Sequence, residues 1–411
     1  MKTKIEKLKN GLTIVYCQDK TRHSFSLELI IKFGGNNRQF IIDNKEYNLT
    51  PGYAHFLEHA IIEHNSYQNL LTLFSKKNID FNGITNSNFT SFYFNCLHNF
   101  KKNVEIFLKA IHSKNILETD LIKIKEPILE EINSRKDNNF FRLNKMTSKS
   151  LFKIIPDNNI CGDVDDINNL NYELLNLCHD VFYTPTNEIL FIGGNIDISE
   201  MTEFINNIYN SLEFKSYQVM IPDFKESNEV NKKENYFKTN TSEDYTRITY
   251  KLNIKSFNSL ERIKLSFYIE CMFIDNFSSV SKIYQEILGK HISNFDIDYN
   301  INFIEDFLII EFGLYTNSKE EFINLINNTI NNLEFNQDNF DLTKKRSMID
   351  LLLREENFNY FKRCFLDNIL VFNYYDYDKI NDIESFNFNE YQEVINNLDF
   401  SNYTINSFIK K

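Results

Sequence analysis

Predicted strands and predicted helices occur together in both halves of this chain, and a polar, charged stretch separates the halves. Residues 12–17 are β-branched and aromatic and follow an Asn-Gly turn, which is typical of a strand. The polar stretch covers residues 214–240, and a new alternating segment begins at 246–254. We therefore predict an α+β fold with two similar domains, residues 1–213 and 241–411, each with helices packed on a mixed β-sheet. Direct sequence repetition between the halves is too weak to prove a duplication.

Turn residues and hydrophobic spacing locate the main segments within each half. An Asn-Ser-Asn turn separates two of the predicted strands, so we expect these two to form a hairpin. The predicted strands include 24–33, 79–85, 90–97, 188–192, 303–314 and 403–408, and the predicted helices include 53–62, 119–134, 318–333 and a long one at 337–367.

The composition is that of a globular protein, because 42% of the 411 residues are hydrophobic and 25% are charged. The net charge is -12, and no segment resembles the basic stripe of a nucleic-acid-binding protein. We therefore exclude nucleic acid as a partner. The acidic balance has two interpretations, which are general solubility and an acidic chamber that attracts basic peptides.

The cysteines and the hydrophobic segments indicate in which cellular compartment the protein is expected. Six cysteines are scattered along the chain and none forms a C-x-x-C pair, so we expect small buried thiols rather than disulfides or a thiolate zinc site. The first residues contain no apolar stretch typical of a signal peptide. No segment approaches the roughly 18 apolar residues of a membrane span. We expect a cytoplasmic protein without a membrane span.

One short motif contains candidate metal ligands and a candidate catalytic base. His55 and His59 are four residues apart in the predicted helix that follows Thr50-Pro51-Gly52, so both side chains project from one face of that helix. This spacing allows two imidazoles to bind one Zn²⁺ ion. Glu58 lies on the same face and can act on a water molecule as a base. The order H-x-x-E-H is the inverse of the commoner H-E-x-x-H zinc motif.

The motif supplies only two metal ligands, whereas a catalytic zinc site has three protein ligands and one open position. The third ligand must come from another element. The predicted helix at 119–134 offers Glu126, Glu130 and Glu131. The chemistry of the residues leaves the choice among these three carboxylates open.

Several segments of this chain resemble the pitrilysin/insulinase metallopeptidases, which include the mitochondrial processing peptidases. The segment from Gly52 to His59 resembles their active-site helix, and Asn82-Gly83-Ile84-Thr85 resembles their Asn-Ala-x-Thr strand. Lys9-Asn10-Gly11-Leu12 resembles their opening strand, and Phe182 to Asn187 resembles their Phe-Tyr-x-Pro-x-Asn turn. The resemblance is strongest over residues 5–200 and is closest to the small two-domain bacterial branch.

The resemblance implies a site and a way of binding substrate. It implies that Glu131, which precedes an isoleucine, is the third zinc ligand, with Glu130 as the alternative. It also implies that two domains enclose a cleft for a peptide substrate. Asn82 and Gly83 would lie on an edge strand beside that cleft, where an extended peptide can pair with the backbone.

Four positions depart from the pattern of this family. Ile124 stands where many members carry a supporting glutamate, and Pro127 interrupts the ligand helix and is expected to kink it. In the second domain His291 and Phe295 stand where the family has an arginine and a tyrosine that hold the substrate carbonyl. Because this chain keeps the zinc motif but lacks that pair, we expect a heterodimer with a related subunit. A homodimer is the alternative.

The combined expectation is a zinc metallopeptidase in which Glu58 is the general base and small peptides are the substrate. Maturation of a ribosomally made peptide and clearance of short peptides are both compatible with the resemblance. One alternative is a non-catalytic subunit that binds peptides or serves as a scaffold. Another is a structural zinc domain, for which His64 is the nearby candidate for a fourth ligand, although it points off the shared helix face.

Overall fold

The structure is a computed structural model, and it describes residues 2–63, 69–113, 117–157, 159–374 and 383–411. The chain forms two compact units. The first contains Met1–Phe141 and Ile155–Lys225, and the second contains Arg142–Ile154 and Glu226–Lys411. The second unit therefore includes a short segment from the middle of the first half, which the predicted boundaries did not assign to it.

The first unit contains most of the short elements. Its strands are β1 (Lys2–Lys7), β2 (Thr13–Gln18), β3 (Phe25–Ile31), β4 (Gln39–Ile42), β5 (Lys45–Asn48), β6 (Asp80–Thr85), β7 (Thr90–Cys96), β8 (Glu188–Gly194) and β9 (Val219–Met220). Its helices are α1 (Tyr53–Glu63), α2 (Leu70–Lys76), α3 (Phe100–Ile111), α4 (Glu118–Lys136), α6 (Val164–Asn168), α7 (Tyr172–Phe182) and α8 (Ile198–Asn210). Helix α5 (Asn139–Leu151) begins in the first unit and ends in the second.

The second unit has fewer and longer elements. Its strands are β10 (Glu234–Thr239), β11 (Tyr245–Asn253), β12 (Asp298–Ile304), β13 (Phe307–Tyr315) and β14 (Tyr403–Lys410). Its helices are α9 (Ser259–Phe277), α10 (Lys282–Gly289), α11 (Lys319–Asn331), α12 (Gln337–Glu356), α13 (Phe358–Phe372) and α14 (Phe388–Asn396).

The two main sheets share one strand order. In the first unit the six-stranded sheet runs β1-β2-β8-β3-β7-β6, and in the second the five-stranded sheet runs β10-β14-β11-β13-β12. Apart from the additional edge strand β1 of the first sheet, the two orders match, because β8 lies between β2 and β3 as β14 lies between β10 and β11. The pairs β2–β8 and β10–β14 are parallel, and the other pairs of these two sheets are antiparallel. This shared order confirms the prediction of an α+β chain with two similar domains.

Two predicted elements of the second half are each split in the structure. The predicted strand at 303–314 is the hairpin β12–β13, which turns at Glu305, a residue with a φ of 51°. The predicted helix at 337–367 is α12 followed by α13, because the side chain of Asn357 caps the backbone N–H of Tyr360 and begins a new helix. In both cases the pattern of hydrophobic residues continues across the point where one element ends and the next begins, so the pattern alone does not reveal the break.

Aromatic side chains form much of both cores, which explains the 39 Phe and 22 Tyr of the sequence. In the first unit the rings of Phe33 and Phe182 stack with centroids 4.2 Å apart. In the second unit Tyr391 is fully buried and its ring stacks on Phe340 at 5.6 Å. Each such burial stabilises the folded state by about 1.5–3 kcal/mol.

A buried polar network lies beside the end of α3 in the first unit. His112 Nε2 is 2.9 Å from a carboxylate oxygen of Glu188, and its Nδ1 is 2.7 Å from the carbonyl oxygen of Leu108. The hydroxyl of Tyr209 donates to the other oxygen of Glu188 at 2.7 Å. Burial alone would lower the pKa of His112, but the charge of Glu188 and the hydrogen bonds together outweigh it and raise the pKa.

A second buried ion pair lies in the second unit, where the chain enters it. Lys251 Nζ donates to the carbonyl oxygens of Leu151 at 3.0 Å and Ser227 at 2.7 Å, and it lies 3.4 Å from Glu226 Oε1. The Lys251 and Glu226 side chains are 0% and 1% exposed. The ammonium group thus joins the two segments at which the chain crosses between units.

The structure also bears on the thiols and on membrane association. None of the six cysteines forms a disulfide, and each is buried except Cys364, which is half-buried. This agrees with the expectation of isolated thiols. Among the described residues, no helix combines the length and the apolar character that a membrane crossing requires.

Candidate metal centre and active site

Helix α1 carries the H-x-x-E-H motif and is almost entirely buried in the first unit. Gly52 precedes it with a φ of +104°, a conformation that favours glycine, and its carbonyl oxygen accepts the backbone N–H of Phe56 at 2.8 Å. A Cβ at Gly52 would lie 2.8 Å from Ile167 Cδ1 and 3.0 Å from the carbonyl oxygen of Cys161. The helix therefore begins where predicted and packs closely against the loop before α6.

The helix brings the two histidines together as the spacing predicts. The ring centroids of His55 and His59 are 4.7 Å apart, and the ring planes are inclined at 83°. Glu131 of helix α4 points toward both rings, since its Oε2 lies 3.4 Å from His55 Nε2 and 3.9 Å from His59 Nε2. Glu126 and Glu130, the other two candidates, are exposed.

Burial keeps His55 neutral, so its contact with Glu131 is not an ion pair at neutral pH. Burial, together with the charges of His59 and Arg135, lowers the pKa of His55 to about 3. In a tetrahedral zinc site with metal–ligand bonds near 2.1 Å, neighbouring ligand atoms are about 3.4 Å apart. The distances from Glu131 Oε2 to the two imidazole nitrogens, 3.4 and 3.9 Å, are close to the separation of two ligands that share a zinc ion.

The environment of the two imidazoles differs at Nδ1. His59 Nδ1 lies 3.4 Å from Glu63 Oε1, and its Nε2 faces Glu131. His55 Nδ1 is buried and has no hydrogen-bond partner among the described residues. His64, the candidate for a fourth ligand of a structural site, lies outside the described residues.

Glu58 lies next to the cluster but is held by strand β6. Its Oε2 accepts a hydrogen bond from the Thr85 hydroxyl at 2.7 Å, and its side chain is almost fully buried. Burial raises the pKa of Glu58, and the Thr85 hydrogen bond opposes that shift. A carboxylate with one oxygen anchored and a raised pKa is suited to accept and return a proton.

Strand β6 is an edge strand of the six-stranded sheet, as the prediction for Asn82 and Gly83 requires. Asn82 is exposed, and its Oδ1 accepts the backbone N–H of Gly83 at 2.9 Å. Gly83 is buried, and a Cβ there would lie 2.5 Å from Ile62 Cδ1 and 3.0 Å from Glu58 Oε1 and Cγ. The glycine therefore lets β6 approach Glu58 closely, and contact with substrate remains a prediction for both residues.

Two residues beside the cluster were missed by sequence reasoning. Cys161 Sγ lies within 4.8 Å of the ligand atoms of His55 and Glu131, and burial, with Glu131 adding to the effect, raises the pKa of its thiol to about 12. Arg135 forms an ion pair with Glu131 Oε1 and donates to Cys161 Sγ at 2.8 Å. Arg135 lies one helical turn after Glu131, so the sequence could have indicated that the two side chains are neighbours. No comparable spacing in the sequence indicates that Cys161 lies beside the cluster.

The four departures from the resemblance have ordinary structural roles. Ile124 is a core residue with 1% exposure, and α4 continues through Pro127 as a single helix. His291 follows α10 with a φ of 53° and is exposed. Phe295 is 48% exposed, and its ring lies 5.3 Å from that of Tyr315.

Comparison with known families matches both halves of the chain to one peptidase family. Residues 13–159 match the model described as insulinase (peptidase family M16), and residues 169–347 match the model described as the peptidase M16 inactive domain. The first match contains the complete candidate centre, and the second covers most of the second unit.

Curated relatives match over part of their length. The chain is 29% identical over 195 residues to the uncharacterized zinc protease YmfH of Bacillus subtilis, covering 47% of this chain and 45% of the relative. It is 27% identical over 220 residues to the zinc protease PqqE of Helicobacter pylori, covering 50% and 46%. The matched region thus spans about half the length of these relatives.

Solved structures match over the whole chain. An M16-like peptidase from Alicyclobacillus acidocaldarius superposes with a TM-score of 0.88 at 18% identity, covering 100% of this chain and 98% of its own. A protease from Helicobacter pylori superposes with a TM-score of 0.83 at 17% identity, covering 99% of each chain. At these identities the likeness shows the fold, and with the two family matches it assigns the chain to the M16 (pitrilysin/insulinase) family in its small two-domain form.

Proposed function

We propose that this protein is a zinc metallopeptidase that hydrolyses small peptides. The proposal rests on one observation. Oε2 of Glu131 lies 3.4 Å from Nε2 of His55 and 3.9 Å from Nε2 of His59, and Glu58 lies on the same helix as the two histidines. These three residues would hold the zinc ion, and two neutral imidazoles with one carboxylate are a common ligand set for catalytic zinc.

The residues of the chain have distinct roles in the proposed reaction. When bound, zinc supplies Lewis-acid chemistry that polarises the scissile carbonyl and makes water more acidic. Glu58 takes a proton from the attacking water and delivers it to the leaving amine. Thr85 holds Oε2 of Glu58 through a 2.7 Å hydrogen bond, so Oε1 would be the oxygen that accepts the proton. Burial raises the pKa of Glu58, which favours its acceptance of the proton.

The substrate class follows from the edge position of β6. An extended peptide that pairs with this strand gains backbone hydrogen bonds, which give affinity with loose side-chain selectivity. Asn82 would lie beside such a peptide, whereas Gly83 would act by letting the strand approach Glu58. Maturation of a ribosomally made peptide is the role we favour. A reducing cytoplasm is compatible with six cysteines that form no disulfide.

We further propose that the chain is the zinc-bearing subunit of a heterodimer. His291 and Phe295 replace the arginine and tyrosine that the resemblance leads us to expect, and a phenyl ring offers no hydroxyl to a substrate carbonyl. A related subunit without a zinc motif would supply those groups. Light scattering on the purified chain tests this, because a stable and active homodimer would contradict it.

A non-catalytic role is the second candidate, favoured by the same two substitutions in the second unit. A scaffold of this kind would bind peptides without cleaving them. Zinc analysis separates the two candidates, since an enzyme requires one bound zinc ion per chain and a scaffold requires none.

The test of the proposed function is a peptide-library digest followed by mass spectrometry. The chain, alone and with a related subunit, is expected to release defined fragments. The variant Glu58→Gln keeps the size and hydrogen-bonding capacity of the side chain but cannot accept the proton, so it should keep zinc and release none. Fragments from Glu58→Gln at the unmodified rate would refute the assignment of the base.

A further inference from the structure

Glu131 is held from the side opposite the histidines by a guanidinium group. Arg135 lies one helical turn after Glu131 on α4, and its Nη2 pairs with Glu131 Oε1. Oε2 of the same carboxylate faces the imidazoles, at 3.4 Å from His55 and 3.9 Å from His59. The two carboxylate oxygens thus have different partners, and the arginine determines which oxygen faces the metal position.

Arg135 is itself fixed by two further contacts. Its Nη1 donates to Sγ of Cys161 at 2.8 Å, and its guanidinium carbon lies 5.9 Å from the centre of the Phe141 ring. Cys161 is 2% exposed, so its thiol is a rigid acceptor rather than a mobile surface group. A guanidinium with separate partners for its two terminal nitrogens has one orientation, which a single-point ammonium cannot reproduce.

We propose that Arg135 is a positioning residue that orients Glu131 as a ligand through Oε2 alone, with Cys161 as its anchor. The inference rests on the proposed function, because it concerns the ligand set of the same centre. It assigns to this pair the support that a second glutamate would give at Ile124, which is a buried core residue here. Groups that support a metal ligand typically contribute about 10- to 100-fold to metal affinity.

The charge of Arg135 and its effect on the orientation of Glu131 predict opposite changes in zinc affinity when the guanidinium group is removed. A positive charge beside the centre disfavours a cation, so its loss alone would tighten zinc binding. Loss of the contact with Oε1 frees the carboxylate to rotate, which would weaken zinc binding. We expect orientation to dominate, because Arg135 is 39% exposed and its charge is therefore partly screened by solvent.

The experiment compares zinc affinity, by competition with a chromophoric chelator, in Arg135→Met, Arg135→Lys and Lys136→Met. Lys136 is an exposed neighbour on the same helix that donates to Asn133, so Lys136→Met removes one charge without touching Glu131. We expect affinity to fall about 10- to 100-fold in Arg135→Met and by a similar factor in Arg135→Lys, with little change in Lys136→Met. Unchanged or tighter binding in Arg135→Met overturns the inference. Full affinity in Arg135→Lys also overturns it, because it shows that an ammonium group orients Glu131 without the two-point contacts of the guanidinium.

Cobalt substitution gives a readout that is independent of activity. The unmodified protein with Co²⁺ should show the visible bands of a nitrogen and oxygen site without thiolate-to-cobalt absorption, and Arg135→Met should change those bands. Thiolate absorption that disappears in Cys161→Ser would make the cysteine a ligand rather than the anchor of Arg135, which overturns the inference. Failure of the unmodified chain to bind any metal would instead refute the proposed function together with the inference.

Discussion

Replacement of Gly83 by alanine tests how closely strand β6 must approach Glu58, the proposed catalytic base. The added methyl would lie 2.5 Å from Ile62 Cδ1 and 3.0 Å from both Cγ and Oε1 of Glu58. The tip of Ile62 can rotate away, but Glu58 is held through Oε2 by Thr85 and must move as a whole. An ordinary contact needs about 3.4 Å, so the carboxylate must shift by about 0.4 Å.

The expected cost has two parts. Inserting a methyl group into a closely packed site typically destabilises the folded state by about 1–3 kcal/mol. Because a misplacement of about 1 Å can cost about 100-fold in rate, a shift of this size should lower kcat/KM about tenfold, or about 1.4 kcal/mol. Urea unfolding measures the first quantity, and cleavage of a peptide identified in the library digest measures the second.

Gly289 supplies the matched control. It is the last residue of α10, and a Cβ there would meet no atom within 4 Å. Gly289→Ala should therefore be neutral or stabilise the protein by about 0.4–1 kcal/mol, with unchanged kcat/KM. If Gly83→Ala matches Gly289→Ala in both stability and activity, the close approach of β6 does not position Glu58 and the reasoning is wrong.

Three further predictions concern the buried hydrogen bonds and ion pairs. His112→Gln should destabilise the protein by about 3 kcal/mol in urea unfolding at pH 6, because it leaves the buried Glu188 carboxylate without its cation. Since the folded pKa of His112 is raised, this contribution is complete below about pH 6.5, and the deficit should shrink as the pH rises through the folded pKa. Lys251→Met should cost about 3–5 kcal/mol at neutral pH by the same assay, and a cost below 1 kcal/mol would contradict the role of its buried ion pair. Thr85→Val should keep zinc but lower kcat, because Glu58 loses its anchoring hydrogen bond, and an unchanged kcat would refute that role.

Local patterns predicted the elements that carry the site, because their signals lie within a few residues of one another. The helix predicted at 53–62 is α1, Tyr53–Glu63, and the hairpin predicted from the turn after Thr85 is β6–β7. The four-residue spacing of His55 and His59 fixed their common face before any tertiary contact was considered. The resemblance then selected Glu131, which the structure places beside both rings.

The remaining features depend on contacts between residues far apart in sequence. Cys161 reaches the centre from the loop before α6, and no motif relates it to His55. The segment Arg142–Ile154 belongs to the second unit because of contacts such as that of Lys251 with the carbonyl of Leu151. Periodicity describes one element at a time, so it indicates neither contact.

Two adjacent glutamates of α4 differ in exposure, and this difference supports the proposal that Glu131 is the third ligand. Glu131 faces the imidazoles, whereas Glu130 is rotated about 100° around α4 and is exposed. A substitution at one position should therefore affect the metal and the same substitution at the other should not. The pair Glu131→Gln and Glu130→Gln makes that comparison with identical chemistry.

Zinc content, measured by mass spectrometry of the metal in the purified chain and in these two variants, tests the metal centre most directly. The expected result is one zinc ion per chain in the unmodified protein and in Glu130→Gln, with zinc lost or bound far more weakly in Glu131→Gln. An unmodified chain that binds no zinc, or a Glu131→Gln variant that binds it at full affinity, would contradict the proposed centre of His55, His59 and Glu131.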